Sequence, residues 1–140
     1  MESGEQTRVL VVDDVEPNRE LLCEVLELLG YVVESVESGE EAVRRVAQRH
    51  YAVVLMDCQM PIMDGFQATM EIRRLEGSAR RTPILAVTAY GLDARERALA
   101  AGMDELIAKP IDLADLEREL ARWSRAGAAP MGACAAVLAS

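Results

Sequence analysis

The sequence predicts an α/β fold: a doubly wound, five-stranded parallel sheet flanked by five helices. Three observations lead there. Five short apolar runs rich in β-branched residues alternate with five segments of helical periodicity. Most of the runs are apolar throughout, so both faces of the sheet are covered. Right-handed crossovers between successive runs then make the strands parallel. The chain has 140 residues, 51% of them hydrophobic, which is the size and composition of one domain with one sizeable core.

The elements follow in order. Val9-Leu10-Val11-Val12 is a buried strand. Pro17 sits where a first helical turn tolerates it, Leu21, Leu22, Val25, Leu28 and Leu29 follow at helical spacing, and Gly30 stops the helix. Tyr31 to Val36 alternates and reads as a second strand near an edge. Ser38-Gly39-Glu40-Glu41 has the form of a capping box and starts a second helix through Ala42, Val43, Val46 and Ala47. Ala52 to Met56 is the third strand. Asp64 caps a third helix from Gly65 to about Leu75, and Arg80 to Pro83 is a loop. Ile84 to Val87 is the fourth strand, and Asp93 to Ala101 a fourth helix closed by Gly102. Leu106 to Ala108 is a short fifth strand. Asp112 caps a fifth helix with Leu113, Leu116, Leu120 and Trp123 on one side. Residues 1–7 form an N-terminal extension, 8–124 the domain, and 125–140 a tail. No charged residue follows Arg125, and Ala and Gly dominate there. The tail reads as disordered, with a short helix over an apolar patch as the alternative.

Charge and composition exclude several classes. The net charge of -9 argues against wrapping a nucleic-acid backbone and against docking on an anionic membrane. No apolar run is long enough to span a bilayer, and Met1 to Thr7 lacks the hydrophobic region of a signal peptide. Cys23, Cys58 and Cys134 lack metal-type spacing and read as reduced thiols, and a cytoplasmic address is expected by default.

In an open parallel sheet, ligands bind beyond the carboxyl ends of the strands. Strand one ends in Asp13-Asp14, strand three in Asp57, strand four in Thr88, and strand five in Lys109-Pro110. Taken singly, each has a bland reading as a turn, a cap or a loop residue. Together they bring three carboxylates, one hydroxyl and one amine to one rim. Three close carboxylates repel and need counter-charge. Lys109 supplies one unit, and a hard divalent cation such as Mg²⁺ supplies the rest. Such a rim suits phosphoryl transfer, in which positioning and charge neutralisation do most of the catalysis. Asp57 is the central nucleophile.

Val11-Val12-Asp13-Asp14, Leu55-Met56-Asp57, Met60-Pro61-Ile62-Met63-Asp64-Gly65, Val87-Thr88-Ala89 and Ala108-Lys109-Pro110 stand in the order and spacing of the response-regulator receiver family. The chain resembles that family from about Arg8 to Trp123. The resemblance implies a flavodoxin-like sheet of order 2-1-3-4-5. It implies that Asp57 is the phosphoacceptor and that Asp14, Asp57 and the backbone carbonyl of Gln59 bind Mg²⁺, with Asp13 acting through water. Lys109 would contact the phosphoryl group, Thr88 would hydrogen-bond to it, and Pro110 would follow a cis peptide bond. No cofactor besides the metal is implied. Asp13 to Arg19, Met56 to Pro61 and Gly102-Met103-Asp104 are most similar to receivers of hybrid sensor histidine kinases. Such receivers exchange phosphoryl groups with a histidine kinase or a histidine-phosphotransfer domain. The expected role is therefore that of a signalling phosphoacceptor, which catalyses only its own phosphorylation and dephosphorylation. The chain is expected to be a monomer or weak dimer, either part of a hybrid kinase or a stand-alone receiver.

One position departs from the family pattern: Leu106 stands where an aromatic is usual, so a weak switch of the surrounding surface is expected. Competing functions fit less well. An aspartate-nucleophile phosphatase would want an acid two residues after the nucleophile, where this chain has Gln59. A flavin module would want a glycine- and hydroxyl-rich loop in place of Asp13 to Glu16. A receiver that is never phosphorylated would be expected to lack acceptor or metal residues. For the partner face, Leu21, Val25 and Leu28 are expected to face the sheet, leaving Val15, Leu22 and Leu26 at the edge of the apolar arc of helix one, either exposed to dock a four-helix histidine-bearing domain or packed against the fifth helix. Met56, Met60, Met63, Met70 and Cys58 read as packing residues.

Overall fold

The computed structural model describes residues 7–77, 81–89 and 92–128. The chain runs β1 (Arg8–Val12), α1 (Glu16–Leu28), β2 (Val32–Val36), α2 (Gly39–Gln48), β3 (Val53–Asp57), α3 (Gly65–Glu76), β4 (Ile84–Thr88), α4 (Leu92–Ala101), β5 (Glu105–Ala108) and α5 (Leu113–Ala128). The five strands form one sheet in the order β2-β1-β3-β4-β5, with every pair parallel. This is the predicted flavodoxin-like topology, with β2 at one edge.

Side chains that alternate along the strands feed two cores. Leu10, Val12, Val54, Met56, Ile84 and Ala86 point to the face covered by α2, α3 and α4. Val9, Val11, Val53, Leu55, Leu85 and Val87 point to the face covered by α1 and α5, where Leu26, Leu116 and Leu120 meet them. Burial on both faces is why the central strands read as continuous apolar runs. Among the described side chains of α4, those that are buried are small: Ala94, Ala98 and Ala101. Leu106 is half-buried and packs against the α2–α4 core.

Local signals act largely as the sequence predicts. Pro17 lies in the first turn of α1, and Gly30 ends that helix at φ 100. Asp64 Oδ1 accepts from the Gln67 N–H at 2.8 Å while Gln67 Oε1 accepts from the Asp64 N–H at 3.0 Å, a complete capping box. Asp112 Oδ1 accepts from the N–H groups of Ala114 and Asp115 at the start of α5. Ser38 Oγ accepts from the Glu41 N–H at 3.2 Å, but the Glu41 carboxylate reaches past the cap to the Glu37 N–H, at 3.1 Å.

Four readings need correction. Leu26 is fully buried, whereas Leu21 and Leu28 are 62% and 86% exposed, so α1 is rotated from the orientation expected. Leu26 packs in the core with Leu116 and Leu120, and the Tyr31 N–H donates to Leu26 C=O at 3.1 Å as the chain enters β2. Leu113, the first residue of α5, is exposed. Met70 is exposed on the outer face of α3. Helix α5 continues through Ala128, four residues into the span read as a disordered tail. Residues 1–6, Arg80 and 129–140, including Cys134, lie outside the described residues.

Candidate functional site

The parallel sheet brings the carboxyl ends of β1, β3, β4 and β5 to one rim, and one backbone hydrogen bond beyond several strand ends fixes the positions there. Asp13 N–H donates to Val36 C=O at 3.2 Å, Cys58 N–H to Val87 C=O at 3.1 Å, and Lys109 N–H to Thr88 C=O at 2.8 Å. The side chains after these strands therefore stand on a rigid frame. All the residues named from the sequence, Asp13, Asp14, Asp57, Gln59, Thr88 and Lys109, lie on or beside this rim.

Asp13 and Asp57 are 5% and 4% exposed, and Asp14 is more open. Each of the three offers one carboxylate oxygen within 4.8 Å of the others. Lys109 Nζ lies 3.6 Å from Asp57 Oδ1. That oxygen also accepts from the Gln59 N–H at 3.1 Å. Asp13 Oδ1 accepts from the Val15 N–H at 2.9 Å, and its backbone carbonyl accepts from the Arg19 guanidinium at 2.9 Å. Thr88 is buried at the end of β4, in the strand next to Asp57. The Lys109–Pro110 peptide is cis.

These positions determine the electrostatics. Two like charges 4.8 Å apart repel by about 3 kcal/mol at an effective dielectric near 20. Three ionised carboxylates facing one ammonium carry two uncompensated negative charges. Burial pushes the Asp57 carboxyl up. The Gln59 N–H pulls it back down, Asp13 raises it again, Lys109 lowers it, and Asp14 adds a smaller upward push. The donor set is all-oxygen, anionic and short of positive charge, which fits a hard divalent cation that keeps several waters.

Gly65 is a residue whose role the motif alone did not reveal. A Cβ there would lie 2.4 Å from the Asp57 carbonyl oxygen, 2.9 Å from Met56 Cγ and 3.0 Å from Cys58 Cα. The first turn of α3 is thus pressed against the backbone of the acceptor. Proximity of glycine to aspartate in sequence hints at a turn, but not at this contact. Cys58 is buried, and burial first, then the Asp57 charge, push its thiol up to about 12, so it is a packing residue. A crevice of about 500 Å³ opens beside it, lined in part by Gln59, Asp64, Phe66 and Arg97. There the Arg97 guanidinium lies 4.3 Å over the Phe66 ring and 3.9 Å from Asp64 Oδ2.

This fold and rim define a phosphorelay type of domain, and comparison gives the family. The chain belongs to the response regulator receiver domain family, whose model matches residues 9–121. The sensor protein GacS of Pseudomonas syringae pv. syringae is 41% identical over 125 residues, or 87% of this chain. Hybrid signal transduction histidine kinase G of Dictyostelium discoideum is 37% identical over 124 residues, or 86% of this chain. The chain spans 14% and 4% of the lengths of these two relatives. Among solved structures, the receiver domain of a sensor histidine kinase from Pseudomonas aeruginosa PAO1 superposes with a TM-score of 0.78 at 42% identity, covering 85% of this chain and 98% of that one. That protein was crystallised with a magnesium ion coordinated in its active-site cleft. The receiver domain of Ssk1 from Saccharomyces cerevisiae, co-crystallised with the histidine phosphotransfer protein Ypd1, has a TM-score of 0.77 at 26% identity, covering 88% of this chain and 92% of that one. The chain is therefore a receiver domain of two-component signalling, similar to the receivers of hybrid histidine kinases. Among the described residues, no helix is long and apolar enough to cross a membrane.

Proposed function

We propose that this receiver accepts a phosphoryl group on Asp57 from a phosphohistidine, in a reaction that requires Mg²⁺. The observation that carries this reading is the juxtaposition of three carboxylates with a single ammonium on the rim. Asp14 and Asp57, with the Gln59 carbonyl, would hold the ion directly, and Asp13 would hold it through water. The bound ion supplies charge neutralisation for the transferred group.

The chain's own residues do the rest. An Asp57 carboxylate oxygen forms the new bond to phosphorus as the phosphorus–nitrogen bond to the donor breaks, and the leaving imidazole takes up a proton. The transition state is loose, so positioning and charge compensation dominate. Lys109, 3.6 Å from Asp57, neutralises one of the phosphoryl oxygens. Thr88 donates its hydroxyl to another.

The donor is a histidine kinase or a histidine-phosphotransfer domain, and the receiver meets it as a monomer or weak dimer. A donor phosphorylated from ATP places the exchange in the cytoplasm. A groove of about 390 Å³ runs beside the rim between α1 and α5, lined by Asp13, Leu21, Leu22, Val25, Lys109 and Leu113 among others. It joins two rim residues to apolar side chains, which suits a helical donor. It also replaces the edge expected from the sequence, because Leu26 is buried while Leu21 is exposed.

Intact-mass analysis after incubation with Mg²⁺ and acetyl phosphate tests the acceptor. The chain should gain one phosphoryl group, and Asp57→Asn should gain none. Unchanged labelling of that variant would refute the assignment. In the groove, Leu22→Glu should slow transfer from the protein donor and leave labelling by acetyl phosphate intact.

A further inference from the structure

Ile62 stands at the tip of the loop that follows the acceptor. Its φ is 68, in the left-handed region that β-branched residues avoid. The Met63 N–H donates across it to Pro61 C=O at 2.7 Å, which makes a γ-turn of the strained hand. Two close approaches hold the loop on this path. A Cβ on Gly39 would come within 2.8 Å of the Met63 carbonyl oxygen, and one on Gly65 within 2.4 Å of the Asp57 carbonyl oxygen. Strain of this kind persists where the surroundings over-determine the backbone.

The path accounts for the positive φ but not for the isoleucine. Asparagine or glycine would make the same turn with less strain. Nor does the core gain from the side chain, which is 89% exposed. The fold thus carries a strained backbone and an exposed apolar group at one residue, in the loop that follows the acceptor.

Position indicates what it meets. Asp57 is 4% exposed at the end of a central strand, so a macromolecular donor must reach in past the loops around it. On the α1 and α5 face, those loops are bordered by the groove containing Leu21 and Leu113. On the opposite face, the border is the loop through Pro61, Ile62 and Met63, where Ile62 rims a hollow of about 380 Å³ with Met63, Gln67 and Met70. We propose that Ile62 is an apolar contact for the phosphohistidine-bearing helical donor, engaging it from the face opposite the α1 groove. This rests on the reading of the donor given above.

Two substitutions test the proposal. Ile62→Asn removes the apolar group and relieves the backbone, while Ile62→Val keeps the apolar group. Each is compared with the wild type for thermal midpoint, labelling by acetyl phosphate, and transfer from a phosphorylated four-helix histidine-phosphotransfer domain. The expected result is a midpoint no lower in Ile62→Asn, acetyl phosphate labelling unchanged, and transfer from the protein donor slowed about tenfold or more. Ile62→Val should transfer like the wild type. Equal transfer by all three chains would overturn the proposal. So would a marked fall in the midpoint of Ile62→Asn, which would make the side chain structural. A dimer dissociated by Ile62→Asn with transfer unchanged would assign the contact to a second copy and likewise overturn it. If the wild type accepts phosphoryl groups from acetyl phosphate and from no histidine donor in a panel, the donor reading itself fails, a result distinct from all of these.

Discussion

Gly65→Ala is the substitution whose consequence follows most directly from the geometry. The added methyl group would sit 2.4 Å from the Asp57 carbonyl oxygen, where ordinary contact begins near 3.4 Å. It is therefore about 1 Å short of room. Two of its three nearest neighbours, Asp57 O and Cys58 Cα, are backbone atoms, so no side-chain rotation relieves the clash. Either α3 lifts or the end of β3 moves. Overpacking of this kind costs about 1–3 kcal/mol, toward the upper end where backbone must shift. The narrower unfolded ensemble of alanine offsets about 0.4–1 kcal/mol of that. A net loss near 2 kcal/mol lowers the melting temperature by about 8 °C for a domain of this size. Because the displaced atoms belong to the acceptor itself, labelling by acetyl phosphate should also fall, by about 100-fold for a 1 Å misplacement. Gly30→Ala is the control. Nothing lies within 4 Å of a Cβ there, but φ is 100, so alanine is strained without crowding anything. It should cost about 1–2 kcal/mol and leave labelling unchanged. The assays are thermal denaturation and the rate of intact-mass gain with acetyl phosphate. A Gly65→Ala chain that melts and labels like the wild type would refute the claim that α3 fixes the acceptor.

Three further outcomes are expected. Leu26→Ala should cost about 2–5 kcal/mol as a buried cavity, whereas Leu28→Ala, at 86% exposed, should stay within about 0.5 kcal/mol; urea denaturation reads both, and equal losses would refute the orientation of α1. Raising a folded-state carboxyl means that the native state holds its proton to higher pH. The contribution of Asp57 to stability is thus present below the ordinary carboxylate range and lost as pH rises through its raised pKa. Without metal at neutral pH, Asp57→Asn should then melt above the wild type, while Mg²⁺ at about 100 times its dissociation constant should add about 2.7 kcal/mol to the wild type and reverse the order. A wild type whose melting ignores millimolar Mg²⁺ would refute the metal site. Finally, with its thiol near 12, Cys58 is about one part in 10⁴ thiolate at pH 8; peptide mapping should find it unalkylated by iodoacetamide until the chain is unfolded.

Much of this was legible because the relevant signals are local. Apolar β-branched runs marked the strands, Asp64 and Asp112 marked helix starts, and polar residues just after the runs marked the rim. What stayed hidden depends on contacts between elements. The apolar arc of α1 is wide, so periodicity alone does not choose between Leu26 and Leu28 for the core. That choice is made by packing between elements, where Leu26 meets Leu116 and Leu120 in one core. Leu113 has helical spacing with Leu116 and Leu120 but, as the first residue of its helix, is exposed while they are buried. The alanine- and glycine-rich composition after Arg125 suggested an early end to order, yet alanine is the strongest helix former and α5 runs on to Ala128. Gly65 appears in the motif, but its contact with Asp57 requires the strand and the helix to be placed together. Ile62 gave no signal at all, since only the backbone dihedral shows its strain.

The alanines that α4 buries point to an order in which the molecule opens. Among the described side chains, α5 buries Leu116 and Leu120, whereas those that α4 buries are Ala94, Ala98 and Ala101. At about 0.8 kcal/mol per buried methyl-sized group and about 1.5–3 kcal/mol per buried leucine, the alanines of α4 contribute about 2.4 kcal/mol and the two leucines of α5 about 3–6 kcal/mol. Native-state amide exchange would therefore show α4 opening at the lower rungs of the free-energy ladder, ahead of α5 and the central strands. The compliance expected of this receiver lies in the thin backing of one helix.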